Sequence, residues 1–327
     1  MGWLATYGLF LAKTITFVIA ILVVVMGIMT LVSKARNKFS NKLLIKKLND
    51  KYETLRSELR AQIFSKKDYK QALKQEKAAK KAQKDQLKPR LFVLHFDGDI
   101  RASAVSDLRE EITAILTIAT PQDEVLVSLE SGGGMVHSYG LAASQLQRLR
   151  DQHIPLTVSV DKIAASGGYM MACVANKIIA APFAIIGSIG VVAQLPNFNR
   201  LLKSKNIDFE QLTAGEYKRT LTLFGENTDE GREKMQQELE ETHTLFKEFI
   251  KRHRPQVDLT KTATGEHWFA TQALEFLLID ELKTSDDYVM AHIKTHDVYA
   301  IAQQSKKSLG QRLGKTIQET TYAYFKN

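Results

Sequence analysis

One local pattern occurs twice in this chain and constrains its fold more than any other feature. It consists of a short apolar run, a glycine-rich turn and a helical pattern. The first copy runs from residues 125–129 through Ser-Gly-Gly-Gly at 131–134 into a helix predicted over 136–150. The second runs from residues 156–160 through Ala-Ala-Ser-Gly-Gly at 164–168 into a further helix. Because strands that alternate with helices favour parallel pairing, the repeated pattern predicts an α/β domain with a largely parallel sheet.

Several other segments have clear strand or helix patterns. The strands are predicted over residues 91–96 and 178–181, and the helices over residues 105–117, 228–254 and 271–278. Ser103 is a candidate N-cap for the first of these helices. The long helix is expected to begin after a Thr228 cap and to end before Pro255, which cannot continue it.

An uncharged run of nineteen residues, 14–32, predicts a transmembrane helix near the N-terminus. At about 1.5 Å per residue this run spans roughly 28 Å, enough to cross a bilayer. A cleaved signal peptide is the alternative, but its apolar region is usually shorter and ends at a small-residue cleavage site. A second uncharged run, 178–199, contains Pro182 and Pro196 and is expected to form a strand and turn in a soluble core.

The net charge of +9 is unevenly distributed along the chain. Residues 33–90 carry 19 Lys and Arg against 6 Asp and Glu, whereas residues 91–327 carry 25 against 30. The folded domain is therefore mildly acidic, which argues against nucleic-acid binding, since that function needs a basic face on the folded domain. The chain is predicted to consist of four segments: an anchor over 1–32, a basic helical linker over 33–90, a catalytic domain over 91–300 and a basic tail over 301–327. Lys and Arg just after the anchor favour a cytoplasmic position for the domain.

The two glycine-rich turns point to chemistry at a helix N-terminus. Backbone N–H groups there favour anions, but neither turn matches a phosphate-binding pattern. The turns are instead suited to an oxyanion hole beside a nucleophile. Ser166 is the candidate nucleophile, Gly167 one donor, and Gly133 or Gly134 the second.

A serine nucleophile needs a base, and the sequence offers two kinds. None of the eight histidines lies in a recognisable triad context, although a histidine brought near in space stays possible. The alternative is a lysine that burial keeps neutral. Lys218 follows a glycine turn at Gly215, away from the basic linker.

The single cysteine, Cys173, excludes a cysteine-based zinc site, and we expect neither a metal nor a cofactor.

Three motifs together resemble those of the signal peptide peptidase A family of Ser–Lys peptidases. They are Ala-Ala-Ser-Gly-Gly-Tyr at 164–169, Gly-Ser-Ile-Gly-Val at 187–191 and Gly-Glu-Tyr-Lys at 215–218. The resemblance implies a ClpP/crotonase-like fold in which Ser166 is the nucleophile, Lys218 the general base and Ser188 the residue that orients the lysine. The first glycine turn departs from the family, which usually has Asn-Ser-Pro-Gly-Gly where this chain has Glu-Ser-Gly-Gly-Gly at 130–134.

The resemblance also implies a setting and a set of partners. It predicts a single-pass serine endopeptidase of the bacterial inner membrane, acting without a cofactor on signal peptides or on misfolded or membrane-derived peptides. It implies a homo-oligomer whose serine and lysine come from adjacent subunits, and it favours the periplasmic face, against the flanking charges. A non-catalytic membrane scaffold and a crotonase-like enzyme acting on acyl-CoA thioesters are the alternatives.

Overall fold

The computed structural model describes residues 2, 7–11, 13–21, 24, 26, 43–82 and 88–303 of the chain. Residues 7–11 and 13–21 are helical. Ile45–Ala302 form one compact unit, which contains both glycine-rich turns.

Within the residues described, no helix combines the length and apolar character needed to cross a bilayer. Part of the predicted anchor, residues 22, 23, 25 and 27–32, lies outside the described residues, as does the predicted tail beyond residue 303. The transmembrane helix therefore stays a prediction from the sequence.

The compact unit alternates strands and helices along most of its length. The strands are β1 Leu43–Lys47, β2 Arg90–Gly98, β3 Glu124–Ser131, β4 Leu156–Val160, β5 Ile163–Ala165, β6 Lys177–Ala180, β7 Ile185–Gly187, β8 His267–Phe269, β9 Glu281–Leu282 and β10 Asp297–Gln303. The helices are α1 Leu48–Ile63, α2 Lys66–Ala82, α3 Val105–Leu116, α4 Val136–Asp151, α5 Gly167–Ala172, α6 Asn199–Ser204, α7 Asp229–His253, α8 Leu259–Thr262, α9 Ala270–Glu275 and α10 Ser285–His292.

All these strands belong to one mixed sheet, in the order β1-β10-β2-β3-β4-β6-β9. Neighbouring strands from β10 to β9 pair in parallel. A side branch leaves the main path where β5 pairs with both β3 and β7, and β8 closes this branch in an antiparallel pair. The α/β class and the mainly parallel pairing predicted from the sequence are confirmed.

The predicted elements are largely present, and the differences have local causes. The long helix α7 begins after Thr228, whose side chain accepts a hydrogen bond from the N–H of Gly231, and it ends at His253 before Pro255. Ser103 does not cap α3, because its hydroxyl donates to Asp99 instead. The linker over 33–90 was predicted to be helical, but strand β1 precedes α1 within it.

The central strands place the functional turns at one edge of the sheet. Every residue of β4 is buried, as expected for a parallel strand covered on both faces. The register between β2 and β3 runs in parallel from Leu91 and Glu124 to Gly98 and Ser131. Because parallel strands end on the same side, the carboxyl ends of β2, β3 and β5 lie together, and both glycine-rich turns begin there.

At the opposite edge, an ion pair between the half-buried Arg90 and the buried Asp123 is expected to make stability fall in acid. Asp123 is 2% exposed and accepts hydrogen bonds from Arg90 and Thr120. Burial alone would raise the pKa of Asp123, but these donors outweigh it and lower the pKa to about 2. The ionised carboxylate therefore adds about 2 kcal/mol of stability above pH 4, and this is lost as the pH falls towards 2.

We expect Asp123→Asn to lower the free energy of unfolding at pH 7 by about 2 kcal/mol or more. The difference from the parent should shrink between about pH 4 and pH 2, where the parent loses the same contribution. Urea unfolding of the full chain across this pH range measures both effects. Asp208→Asn, at an exposed aspartate, is the control. A pH-independent difference would contradict the ion-pair explanation.

Candidate active site

Ser166 lies at a sharp turn between β5 and α5. Its backbone has a φ of 52° and a ψ of −119°. Residues other than glycine rarely adopt this conformation, which costs about 1–3 kcal/mol. The turn is held on both sides, because the N–H of Ser166 donates to the carbonyl of Gly187 at 2.8 Å and its carbonyl accepts from the N–H of Met170 at 3.0 Å. The hydroxyl is thereby fixed at the N-terminus of a helix, a position suited to a nucleophile.

Ser188 leaves the sheet beside Ser166. Because Ala165 in β5 pairs with Gly187 in β7, the residues that follow them emerge side by side. Ser188 also has a positive φ, 51°, and its N–H donates to the carbonyl of Glu266 at 2.7 Å. The structure therefore brings together two of the serines singled out from the sequence.

The two glycines after Ser166 are required by close packing. A Cβ on Gly167 would lie 2.4 Å from the ring of Tyr139 on α4, and one on Gly168 would lie 2.5 Å from the carbonyl oxygen of Ser131. Both contacts are far too short for a side chain. Glycine at these positions lets the start of α5 pack directly on β3 and α4, so that its free N–H groups lie next to the first glycine-rich turn.

Gly133 makes the closest approach of that first turn to the serine. It has a φ of +88°, and a Cβ there would lie 2.6 Å from the backbone nitrogen of Gly167 and 2.8 Å from the Cβ of Ser166. The N–H of Gly133 donates to the Ser131 hydroxyl at 3.1 Å. Of the two candidates for the second oxyanion donor, Gly134 is therefore the one whose N–H is not directed at Ser131.

Two buried hydroxyls that the sequence analysis did not single out hold this turn in place. The Ser131 and Tyr139 oxygens lie 2.5 Å apart, and the Tyr139 hydroxyl donates to the carbonyl of Asp99 at 2.7 Å. Burial raises the pKa of Tyr139, so the hydroxyl stays protonated and can donate. A tyrosine in the helix after the turn is indistinguishable in sequence from an ordinary core aromatic, and no signal marked it.

The loop after β2 forms a support beneath the glycines. Asp99 accepts hydrogen bonds from the hydroxyl and the N–H of Ser103, which lower the pKa of its carboxyl. The carbonyl of Ile100 accepts from the N–H of Met135 at 2.9 Å, and a Cβ on Gly134 would lie 2.1 Å from that oxygen. Residues 98–103 thus fix the path of the turn that faces Ser166.

Ser166 and Ser188 both open onto a cavity of about 450 Å³. Its lining is mostly backbone and small apolar side chains, which suits an extended peptide. The lining residues are Gly132, Gly133, Gly134, Val136, Ser166, Ser188, Gly190, Val191, Val192 and Gly265. No histidine is among these residues, although all eight histidines are in the described part of the chain.

Lys218 is not among the described residues that line the cavity. It belongs to the segment 214–219, in which every side chain is exposed. Its N–H donates to the carbonyl of Gly215 at 3.2 Å, and the neighbouring Tyr217 ring lies 5.3 Å from the Lys234 ammonium on α7. Ser166, Ser188 and the glycines therefore share one cavity, whereas Lys218 is an exposed residue that is not part of its lining.

Comparison with known proteins decides the family. Residues 148–311 match peptidase family S49, and residues 2–146 match the N-terminal region of the same family. The chain belongs to peptidase family S49. The probable protease SohB of Haemophilus influenzae is 57% identical over 236 residues, covering 72% of this chain and 67% of that protein. The probable protease SohB of Buchnera aphidicola from Schlechtendalia chinensis is 63% identical over 207 residues, covering 63% and 68% respectively.

Solved structures give a weaker likeness. A 1510-N membrane-bound stomatin-specific protease mutant, solved in complex with a substrate peptide, matches with a TM-score of 0.44 and 16% identity. The match covers 72% of this chain and all of that one. The S49 assignment rests on the sequence matches, which confirm the family resemblance drawn from the three motifs. The chain is accordingly a peptidase, like its SohB relatives.

Proposed function

We propose that this S49 peptidase is a serine endopeptidase that hydrolyses peptide bonds through Ser166 and an acyl-enzyme. The observation that carries the proposal is the strained Ser166 turn, which opens onto the cavity between two sets of glycine N–H groups. Strain of this kind is retained where a side chain must be held in one orientation. The ClpP/crotonase-like fold implied by the motifs is part of the same proposal.

Each catalytic part has a proposed position. The Ser166 hydroxyl attacks the peptide carbonyl, and the N–H groups of Gly167 and Gly134 stabilise the developing oxyanion. Gly133 permits the close approach of the two turns that this requires. The amine product then leaves, and water hydrolyses the ester on Ser166 to regenerate the enzyme.

The proposed base is Lys218 of a neighbouring copy of the chain. A lysine accepts a proton only in its neutral form, which needs a desolvated position, whereas Lys218 is exposed in a single chain. The chain segment that precedes it, residues 201–212, also exposes apolar side chains that another copy would cover. These include Leu201, Ile207 and Leu212, the last 95% exposed. In such an assembly Ser188, which adjoins Ser166, would receive and orient the incoming lysine.

The membrane setting is proposed from the sequence and the family. The apolar run over residues 14–32 would cross the bacterial inner membrane once and anchor the chain there. The basic linker and the catalytic domain that follow it would then lie on the same side of the membrane. Peptides released in or near the bilayer, including signal peptides, are the substrate class that fits this position. The cavity is lined by Val136, Val191 and Val192, which are suited to contact the apolar side chains of such peptides.

A fluorophosphonate probe tests the nucleophile. We expect the full chain to be labelled at one site, and peptide mapping by mass spectrometry should place the adduct on Ser166. Ser166→Ala should abolish labelling, whereas Ser144→Ala, at an exposed helical serine of α4, should leave it unchanged. Labelling at another residue, or none in a folded and oligomeric protein, would contradict the proposal. The absence of labelling would favour a non-catalytic scaffold.

A further inference from the structure

A cluster of polar side chains lies at the end of the sheet opposite the candidate active site. Glu124 is the first residue of β3, and Ser131, which supports the glycine turn, is the last. At about 3.3 Å per residue these ends lie about 23 Å apart. Glu124, His292 and His296 each present one ligand atom here, and these atoms all lie within 4.8 Å of one another.

Hydrogen bonds at Nδ1 determine whether the Nε2 atom of each histidine can accept. The Nδ1 of His292 lies 2.8 Å from the carbonyl oxygen of Tyr288, which only accepts, so the proton of a neutral ring is on Nδ1. The Nδ1 of His296 lies 2.8 Å from the Thr295 hydroxyl, which is 3.3 Å from the carbonyl of His292. When that hydroxyl donates to the carbonyl, the proton of a neutral His296 ring is on Nδ1 as well. Such Nδ1 hydrogen bonds fix the tautomer and the ring orientation of metal-binding histidines.

Glu124 is held in a matching way. One carboxylate oxygen, Oε1, accepts hydrogen bonds from the hydroxyls of Thr157, at 2.8 Å, and Tyr288. The other, Oε2, faces His292, with 3.5 Å between it and Nε2. A carboxylate fixed through one oxygen and open at the other is the arrangement found for a ligating glutamate.

The spacing suits a small tetrahedral ion. With metal–ligand bonds of about 2.1 Å, two ligand atoms of a tetrahedral site lie about 3.4 Å apart, close to the Glu124–His292 distance. Two imidazoles and one carboxylate are a donor set typical of zinc. We propose that Glu124, His292 and His296 bind one Zn²⁺ ion per chain, with water as the fourth ligand. This proposal departs from the expectation, based on the single cysteine, that the chain binds no metal.

The position indicates a structural role. His292 is the last residue of α10 and His296 lies in the turn that leads to β10. The Asn49 side chain of α1 donates to the carbonyls of Ile293 and His296 at 3.1 and 2.9 Å. Its oxygen also accepts from the N–H of Val298. An ion joining this turn to β3 would therefore stabilise the docking of α1 on the catalytic unit, independently of the chemistry at Ser166.

Zinc titration of the untagged full chain, stripped with a chelator and measured against a competing indicator, tests the site. We expect one Zn²⁺ per chain, and a dissociation constant raised more than about 100-fold in His292→Ala and in His296→Ala. Tyr288→Phe, which removes only the hydroxyl that bonds to Glu124 and Thr157, should raise it about 10-fold. Co²⁺ in place of zinc should give the intense visible absorption of a tetrahedral site.

His253→Ala is the matched control. His253 also ends a helix and has its Nδ1 2.8 Å from a carbonyl four residues earlier, but its Nε2 is already bonded to Gln147. This variant should bind zinc like the parent, and circular dichroism should show that every variant is folded. Absence of zinc binding by the parent would overturn the proposal. So would binding that survives the His292→Ala/His296→Ala double variant, or that is lost equally in His253→Ala.

Discussion

Replacing Lys218 with alanine is expected to lower kcat for peptide hydrolysis by about 10⁴ to 10⁶-fold. Removing a partner of a serine nucleophile has an effect in this range, because the residual rate comes only from the oxyanion hole and substrate binding. Hydrolysis of a fluorogenic peptide by the oligomeric full chain measures the loss. The KM should change little, since in this account Lys218 acts on the Ser166 proton and not on the bound peptide.

Lys205→Ala is the control for this variant. Lys205 is also exposed and follows the short helix α6, so its removal changes the charge of the region without touching the proposed base. We expect kcat within about 2-fold of the parent, as for a surface substitution. If Lys218→Ala retained full kcat, or if both lysine variants lost activity equally, Lys218 would not be the base.

Gly133→Ala is expected to produce the second largest loss, about 10² to 10³-fold in kcat. The φ of +88° strains any side chain, and the added Cβ would lie 2.6 Å from the backbone nitrogen of Gly167. The contact forces the two turns apart and displaces a proposed oxyanion donor, whose loss alone costs about this much. The measurement is kcat for the same fluorogenic peptide, with thermal unfolding recorded in parallel to show that the protein is folded.

Gly132→Ala provides the comparison within the same turn. The nearest atom to a Cβ at Gly132 is 3.9 Å away, and the backbone there does not need glycine. We expect a loss of less than about 10-fold, because the Gly133–Gly167 contact stays intact. Equal losses in the two variants would mean that the turn tolerates no side chain at all, and the specific role assigned to Gly133 would be wrong.

Local sequence signals predicted much of this fold. The strand pattern over 156–160 matches β4 because every residue there is buried, and Thr228 and Pro255 bound α7 where capping chemistry places them. The Ser166 turn was also predicted, since a serine before two glycines is typical of a junction between a strand and a helix. These features depend on residues close together in the chain.

Contacts between distant residues account for what could not be predicted. Ser103 has the composition of an N-cap, yet its hydroxyl bonds to Asp99, which it reaches only because the loop after β2 folds back on itself. Tyr139 supports the glycine turn through a hydroxyl whose partners lie eight and forty residues away. The side chains of Glu124 and His292 lie close together although the two residues are far apart along the chain, and no local sequence pattern links such residues.

The central claim is that Ser166 acts together with Lys218 of a neighbouring chain. Co-expression of Ser166→Ala and Lys218→Ala chains tests it directly, since each inactive chain carries the residue that the other lacks. Random mixed oligomers should recover about a quarter of the parental activity per chain, because about that fraction of interfaces pairs an intact serine with an intact lysine. Mixed oligomers, verified by native mass spectrometry, that stay as inactive as either variant alone would contradict the account.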